Sequence, residues 1–154
     1  MSVHLSDALV REIRAHGRSA YPDECCGFLI GPTEGVASER TISAVERAGN
    51  EFKGERRRRF LILPEELREV ERRLEGSGRS VLGFYHSHPD HPARPSQYDQ
   101  DHAWPWYSYL VLAVTADDEP ALGAFELDPD SGIFQTVPLS VTGDRAAVPS
   151  VAKG

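Results

Sequence analysis

The chain has 154 residues and a mass of 17.0 kDa, a size at which a single domain can bury roughly 70% of the surface of its unfolded chain. Hydrophobic residues make up 40% of the sequence and charged residues 27%, which excludes a disordered or fibrous protein. The net charge of −7 argues against a nucleic-acid partner, because the average surface would repel the phosphate backbone.

Targeting signals and cysteine usage indicate the compartment. The sequence contains no apolar stretch long enough to span a bilayer, and its N-terminus does not have the pattern of a signal peptide. Cys25 and Cys26 are adjacent, which suits neither a disulfide framework nor a C-x-x-C metal or redox motif, and Cys26 is expected in the core. We therefore expect a cytoplasmic protein with no membrane partner.

The basic run from Arg56 to Arg59 is interpreted as a solvated face, although it could meet an acidic partner.

The first third of the chain predicts a helix and a buried strand. A helix is expected from Ser6 to about Ala15, capped by Ser6 or Asp7, with Gly17 just past its end. Cys25 to Ile30 is a short apolar run with turn signals on both sides, which is typical of a buried strand. Glu24 then lies at the entrance of that strand.

The middle of the chain predicts two strands followed by a second helix. The strands are expected at residues 40–47 and 58–63, on either side of a polar loop. Pro64 suits the first position of the helix, and Gly76 suits its stop. The inward-facing stripe of this helix consists of Leu67, Val70 and Leu74.

The last part of the chain predicts a strand at residues 81–86, a proline-rich segment through Pro95 without regular structure, and a short helix opened by Ser96. Further strands are expected at residues 107–115, 121–127 and near 133–137, the first two joined by a turn at 117–120. The pattern indicates an α/β or α+β domain over residues 1–141, with a mixed central sheet flanked by helices. Residues 142–154 are expected to be a flexible tail.

Two histidines, His86 and His88, close the strand that precedes the proline-rich segment. If the extended conformation continues to His88, both imidazoles leave the same face and can bind one metal ion. Asp99 lies one turn into the helix begun by Ser96, and its carboxylate could complete a three-ligand zinc site with an open fourth position. Each half also has a plainer interpretation: the histidines can be an exposed or hydrogen-bonded pair, and Ser96 with Asp99 matches a capping box.

The combined pattern is more specific than either half. The matched positions are His86, Ser87, His88, Pro89, Ser96 and Asp99. This pattern resembles the JAMM signature of the MPN-plus metallopeptidases, which include metal-dependent deubiquitinases and small bacterial single-domain relatives. Residues 21–31, in which Glu24 precedes a strand ending in glycine, are similar to the matching segment of the bacterial members. The resemblance extends from about residue 5 to about residue 137.

The resemblance implies a fold, a cofactor and a set of site residues. The fold would be the JAMM/MPN architecture, which is cytidine-deaminase-like, with one zinc ion per chain. His86, His88 and Asp99 would be the metal ligands, Glu24 the general base and acid, and Ser96 a donor to the transition state. Family members hydrolyse peptide or isopeptide bonds at the C-terminal tail of ubiquitin-like proteins. The bacterial relatives trim adducts from sulfur carriers, so the expected partner is such a protein, with cysteine or a peptide as the product.

Two other functions are considered beside this peptidase. A non-catalytic MPN-type interaction module is disfavoured by the complete ligand set, and a zinc deaminase by the lack of His-x-Glu and Pro-Cys-x-x-Cys elements. His91 and His102 are spare candidates, expected at the surface or beside the substrate. Trp104, Trp106 and Tyr107 are expected to pack at the junction between the short helix and the next strand. The sequence does not indicate the oligomeric state.

Overall fold

The computed structural model describes residues 2–34, 39–50, 52–55, 60–115 and 121–143. The helices in these ranges are α1 Asp7–Ala20, α2 Pro64–Leu74 and α3 Gln97–Asp101. The strands are β1 Ser2–Ser6, β2 Cys26–Pro32, β3 Glu39–Thr41, β4 Ala44–Ala48, β5 Arg79–Pro89, β6 Ser108–Val114, β7 Ala121–Leu127, β8 Phe134–Val137 and β9 Leu139–Thr142. Within the described part of the chain, no helix combines the length and the apolar character needed to cross a bilayer.

A six-stranded sheet in the order β4-β2-β5-β6-β7-β8 forms the centre of the molecule. β5 and β6 are parallel, whereas the other neighbouring strands pair antiparallel. Val10 and Ile13 of α1 pack into the core on one face of this sheet, and Val70 and Leu74 of α2 pack into the core on the other. The predicted mixed central sheet flanked by helices is thus confirmed.

A second, three-stranded parallel sheet in the order β3-β1-β9 was not predicted. β1 has only two inward-facing apolar residues, Val3 and Leu5, which is too short an alternation to recognise. The single strand predicted at 40–47 is wrong, because β3 pairs with β1 while β4 pairs with β2. Residues 144–154, which hold most of the expected tail, lie outside the described residues.

Helix α1 begins as predicted, since the Ser6 hydroxyl accepts the N–H of Leu9 at 3.2 Å. Its predicted end is wrong: the helix continues past Gly17 to Ala20. A Cβ atom at Gly17 would lie 2.5 Å from Cδ2 of Leu112. The glycine therefore permits close packing of α1 on β6 instead of terminating the helix.

Helix α2 agrees with its prediction at both ends. Pro64 occupies the start, and Gly76 follows the end with φ of +79°, a left-handed conformation that favours glycine.

The strand predicted just before α2, at 58–63, is wrong. Residues 60–63 form no strand, and the basic run at 56–59 lies outside the described residues. Phe60 and Ile62 pack against the α2-side core, so their apolar character reflects burial and not strand pairing.

The C-terminal strands correspond closely to the predictions. β5, however, runs three residues beyond the predicted end, because its parallel pairing with β6 continues to Pro89 opposite Val114. The proline-rich segment is therefore irregular only from Asp90 to Ser96. The turn predicted at 117–120 lies outside the described residues. The extension of β5 decides the geometry of the site, since it includes His88.

Candidate metal centre

Strand β5 carries His86 and His88 on the sheet face that α2 covers, because alternate residues of a strand point to the same side. Both residues are buried, at 1% and 6% exposure. Helix α3 brings Asp99 over them, with its side chain 7% exposed. Asp99 Oδ2 lies 3.0 Å from His86 Nε2 and 2.9 Å from His88 Nε2, and the two Nε2 atoms are 3.2 Å apart. The structure thus brings the three predicted ligands together.

The separations of these three atoms can be compared with those around a bound ion. Adjacent ligands of a tetrahedral zinc ion, at bond lengths of about 2.1 Å, are about 3.4 Å apart. The observed separations of 2.9–3.2 Å are a few tenths of an ångström shorter. Two imidazole nitrogens and one carboxylate oxygen that face one point can therefore hold a metal ion after a small outward shift.

The ring orientations of the two histidines are fixed by contacts on their outer sides. His88 Nδ1 donates to the carbonyl oxygen of Pro92 at 3.1 Å, which leaves the lone pair on Nε2. The ring of Phe60 stacks on that of His86, with centroids 4.5 Å apart and planes 23° from parallel. Phe60 lies in the segment predicted to form a strand at 58–63, so its contact with His86 was not predicted.

Asp99 also completes the capping box of α3, so both interpretations of this residue hold. Its N–H donates to the Ser96 hydroxyl at 3.1 Å, and its Oδ2 accepts from the Ser96 N–H at 2.8 Å. Burial raises the pKa of Asp99, but the charge of His86 and hydrogen bonds from His86, His88 and the Ser96 N–H outweigh it and hold the pKa well below its usual range. The group therefore presents a carboxylate to the histidines.

Glu24 reaches the same region from the neighbouring strand. β2 pairs with β5 so that Cys26 lies opposite His86, and Glu24, two residues earlier, lies at the level of His88. The Glu24 side chain is in a buried position, at 5% exposure for the residue. It lines a depression together with His88 and Ser96. The predicted base and the predicted transition-state donor thus border one cavity.

Two residues without a predicted role hold the backbone around Glu24. The Ser87 hydroxyl accepts the N–H of Cys25 at 2.8 Å, in a position with no exposed surface. The side-chain amide of Asn50 donates to the carbonyl oxygen of Glu24 at 3.1 Å. Ser87 lies between the two histidines and faces the opposite side of the strand, so its position in the sequence could have indicated a contact of this kind. Nothing in the local sequence indicated the contact of Asn50.

Two depressions border the metal group, and they share no lining residue among the described ones. The first, called here the polar depression, is lined by Glu24, His88, His91, Arg94 and Ser96, with Pro92 and Pro95. The second, called the apolar cleft, is lined by His86 and Asp99 and by the apolar side chains of Phe60, Ile62, Leu67, Phe84, Trp104 and Tyr109. The metal group therefore separates a charged surface from an apolar one.

The spare candidates lie in these depressions and not in the metal group. His91 is exposed and lines the polar depression. His102 Nδ1 donates to the carbonyl oxygen of Tyr98 at 2.8 Å, and the residue lines the apolar cleft. Trp104 contacts Phe84 at the helix-to-strand junction, as expected, but 51% of it is exposed at the cleft.

Comparison with known proteins identifies the family. The family model described as prokaryotic homologs of the JAB domain matches residues 6–127. The chain belongs to this family. The match includes every predicted site residue, from Glu24 to Asp99, and it accounts for the mixed α/β architecture of this JAB domain.

Individual relatives of the JAB domain are consistent with this assignment. A desampylase from Haloferax volcanii is 33% identical over 108 residues, which cover 70% of this chain and 74% of the relative. A CysO-cysteine peptidase from Mycobacterium tuberculosis is 34% identical over 110 residues, covering 71% of this chain and 70% of the relative. The solution structure of protein DSY2949 from Desulfitobacterium hafniense aligns with a TM-score of 0.78 at 28% identity, over 92% of this chain and 94% of that one.

Proposed function

We propose that this JAB domain is a zinc-dependent peptidase that hydrolyses an amide bond at the C-terminal tail of a ubiquitin-like or sulfur-carrier protein. The observation that carries the proposal is the convergence of His86 Nε2, His88 Nε2 and Asp99 Oδ2 next to the buried Glu24. The names of the desampylase and the CysO-cysteine peptidase support a substrate of this class. Cys25 and Cys26 are buried and form no disulfide, which suits a reducing compartment, so we assign the reaction to the cytoplasm.

His86, His88 and Asp99 are the proposed zinc ligands, and two nitrogen donors with one oxygen donor suit a catalytic site with an open position. The chemistry that zinc supplies in such a site is polarisation of the substrate carbonyl and a nucleophilic water at neutral pH. The hydrogen bond from His88 Nδ1 to the carbonyl oxygen of Pro92 orients the ring so that Nε2 faces the other two proposed ligands. The stacked ring of Phe60 covers His86 and keeps bulk water from that side.

Glu24 moves the proton in the proposed reaction. Its carboxylate takes a proton from the attacking water and later gives it to the nitrogen of the leaving amine. The Glu24 side chain lines the polar depression together with His88 and Ser96, which is the position that this exchange requires. Asn50 and the contact between Cys25 and Ser87 keep its backbone in position.

Ser96 is the proposed donor to the carbonyl oxygen on which negative charge develops. Its hydroxyl oxygen accepts the N–H of Asp99, which leaves the hydroxyl hydrogen available to donate toward the polar depression. By comparison with other donors of this kind, the serine contributes about 2–4 kcal/mol to transition-state stabilisation. Ser96 can therefore act as a helix cap and as a catalytic residue at once.

The test uses protein purified without chelator and a carrier protein with one amino acid attached to its Gly-Gly end. The wild-type chain should contain about one zinc ion and release the adduct, and a chelator should abolish release. Glu24→Gln should keep the zinc and lose at least about 100-fold in kcat. Glu75→Gln, an exposed glutamate just after α2, is the matched control and should behave as wild type. Undiminished release by Glu24→Gln would remove Glu24 from the mechanism, and release that survives removal of zinc would refute the proposal.

A further inference from the structure

We propose that Arg94 binds the free α-carboxylate of the leaving group, so that this JAB domain prefers adducts in which a single amino acid is joined to the carrier tail through its α-amine. This inference rests on the proposed function and specifies the leaving group. It concerns the polar depression, where Arg94 lies with Glu24, His88 and Ser96.

The position of the leaving group follows from the proton transfer. Water adds to the carbonyl carbon, the carbon–nitrogen bond breaks, the carrier keeps a carboxylate, and the nitrogen departs as an amine with the proton that Glu24 delivers. The nitrogen must therefore come within hydrogen-bond reach of the Glu24 carboxylate. Because Glu24 lines the polar depression and not the apolar cleft, the leaving group occupies the polar depression and the carrier tail the other side.

Arg94 offers an unused cation in that depression. Its guanidinium forms no hydrogen bond or ion pair with any residue that the structure describes. Within the described residues, Arg94 forms one hydrogen bond, which its backbone N–H donates to the carbonyl oxygen of Pro92. A guanidinium pairs with a carboxylate through two parallel hydrogen bonds, which an ammonium group cannot reproduce. The chain carries a net charge of −7, so an anionic leaving group needs a local positive charge to bind.

The backbone of Arg94 is tied directly to a proposed zinc ligand. The carbonyl oxygen of Pro92 accepts both the ring N–H of His88, at 3.1 Å, and the backbone N–H of Arg94, at 2.8 Å. The next carbonyl, that of Ala93, lies against β7, where a Cβ atom at Gly123 would come within 2.8 Å of it. The backbone of Arg94 is thus fixed between the metal group and the sheet. The guanidinium can therefore reach only a limited region, which lies beside Glu24.

The chemistry separates two classes of leaving group. An amino acid joined through its α-amine has its carboxylate two bonds from the departing nitrogen, close enough to be bound while Glu24 protonates that nitrogen. A lysine joined through its side chain has no carboxylate near the departing nitrogen and gives Arg94 no partner. The geometry therefore favours removal of single amino acids over cleavage of lysine-linked proteins.

The experiment compares two probes that differ only at the carboxylate. A ubiquitin-like carrier extended past its Gly-Gly end by one alanine is prepared by ligation as the free acid and as the carboxamide. Zinc-loaded wild-type chain should cleave the acid with kcat/KM about tenfold above the amide. Arg94→Met should lower kcat/KM for the acid about tenfold and leave the amide unchanged, while Arg94→Lys should fall between. Arg79→Met, at the opposite end of β5, is the control and should match wild type on both probes.

The outcomes distinguish this inference from the function on which it rests. If the wild-type chain cleaves both probes equally, or if Arg94→Met lowers both to the same extent, Arg94 does not bind the carboxylate, while the peptidase activity stands. If the zinc-loaded wild-type chain cleaves neither probe, the proposed function fails and the inference fails with it. Zinc content is measured in each variant, so that a loss of metal is not mistaken for a loss of recognition.

Discussion

Ser87 lies between two proposed zinc ligands, and its hydroxyl faces away from them toward the Cys25 backbone. It accepts the N–H of Cys25 at 2.8 Å where no water reaches. Ser87→Ala leaves that N–H unpaired in the interior, which costs about 1–3 kcal/mol. In a chain of 154 residues, at about 2–4 °C per kcal/mol, we expect the melting temperature to fall by about 2–12 °C.

The same substitution should reduce activity without removing zinc. Glu24 is the next residue before Cys25, so a displaced Cys25 backbone moves the proposed base relative to the substrate. A displacement of about 1 Å can cost up to about 100-fold in rate, and we expect about a tenfold lower kcat. His86 and His88 leave the opposite face of β5, so the zinc content should stay at about one per chain.

The assay combines thermal unfolding followed by circular dichroism, metal analysis, and kcat for release of an amino acid from a carrier tail. Ser80→Ala is the control, because Ser80 lies on the same strand and its hydroxyl bonds that of Thr33 at an exposed position. It should shift the melting temperature by no more than about 1 °C and leave kcat unchanged. A Ser87→Ala variant with the melting temperature and kcat of the wild type would refute the anchoring argument.

Three further predictions concern the metal group and the packing of α1. Asp99→Asn keeps an oxygen for the capping box but removes the charge, so zinc affinity should fall at least about tenfold. Stability in chelator should fall as well, because His86 and His88 favour the carboxylate in the folded state; a variant that binds zinc as tightly as the wild type would contradict a ligand role. Gly17→Ala gains up to about 1 kcal/mol of helix propensity but places Cβ 2.5 Å from Leu112, and since overpacking costs about 1–3 kcal/mol, urea unfolding should show a net loss. Burial, then the charge of a nearby arginine, lowers the pKa of His16 to about 4, so the folded state resists its protonation. Stability in chelator should therefore fall by about 1 kcal/mol between pH 7 and pH 5, after allowance for solvent screening, and His16→Gln should reduce that fall.

The residues of the metal group could be predicted from their spacing within short segments of the sequence. His86 and His88 alternate on one strand, and Asp99 follows Ser96 at the spacing of a capping box, so each pair has a defined geometry within a few residues. The resemblance of the whole pattern to a family signature then connected the two pairs. The prediction for β5 nevertheless ends at His86, because the prolines that follow usually end regular structure, whereas pairing with β6 keeps Pro89 in the sheet.

Other functional contacts depend on elements far apart in the sequence. Phe60 lies in the strand predicted at 58–63, whereas in the structure it stacks on His86. The prediction is wrong because an apolar residue before a helix can be buried without pairing in a sheet. Asn50 is 26 residues from Glu24, whose carbonyl it binds. Arg94 belongs to no motif in the sequence, and only the tertiary structure places it in the polar depression with Glu24.

The sequence by itself determined which residues can bind a metal ion, the mixed arrangement of helices and strands, and the limits of α2, because each of these depends on spacing along a short segment. The tertiary structure decided the rest. The register of β2 against β5 brings Glu24 to the level of His88, and the close approach allowed by Gly17 seats α1 on β6. These contacts depend on how separate segments pair and pack, and the hydrophobic pattern of one segment does not specify its partner or its register.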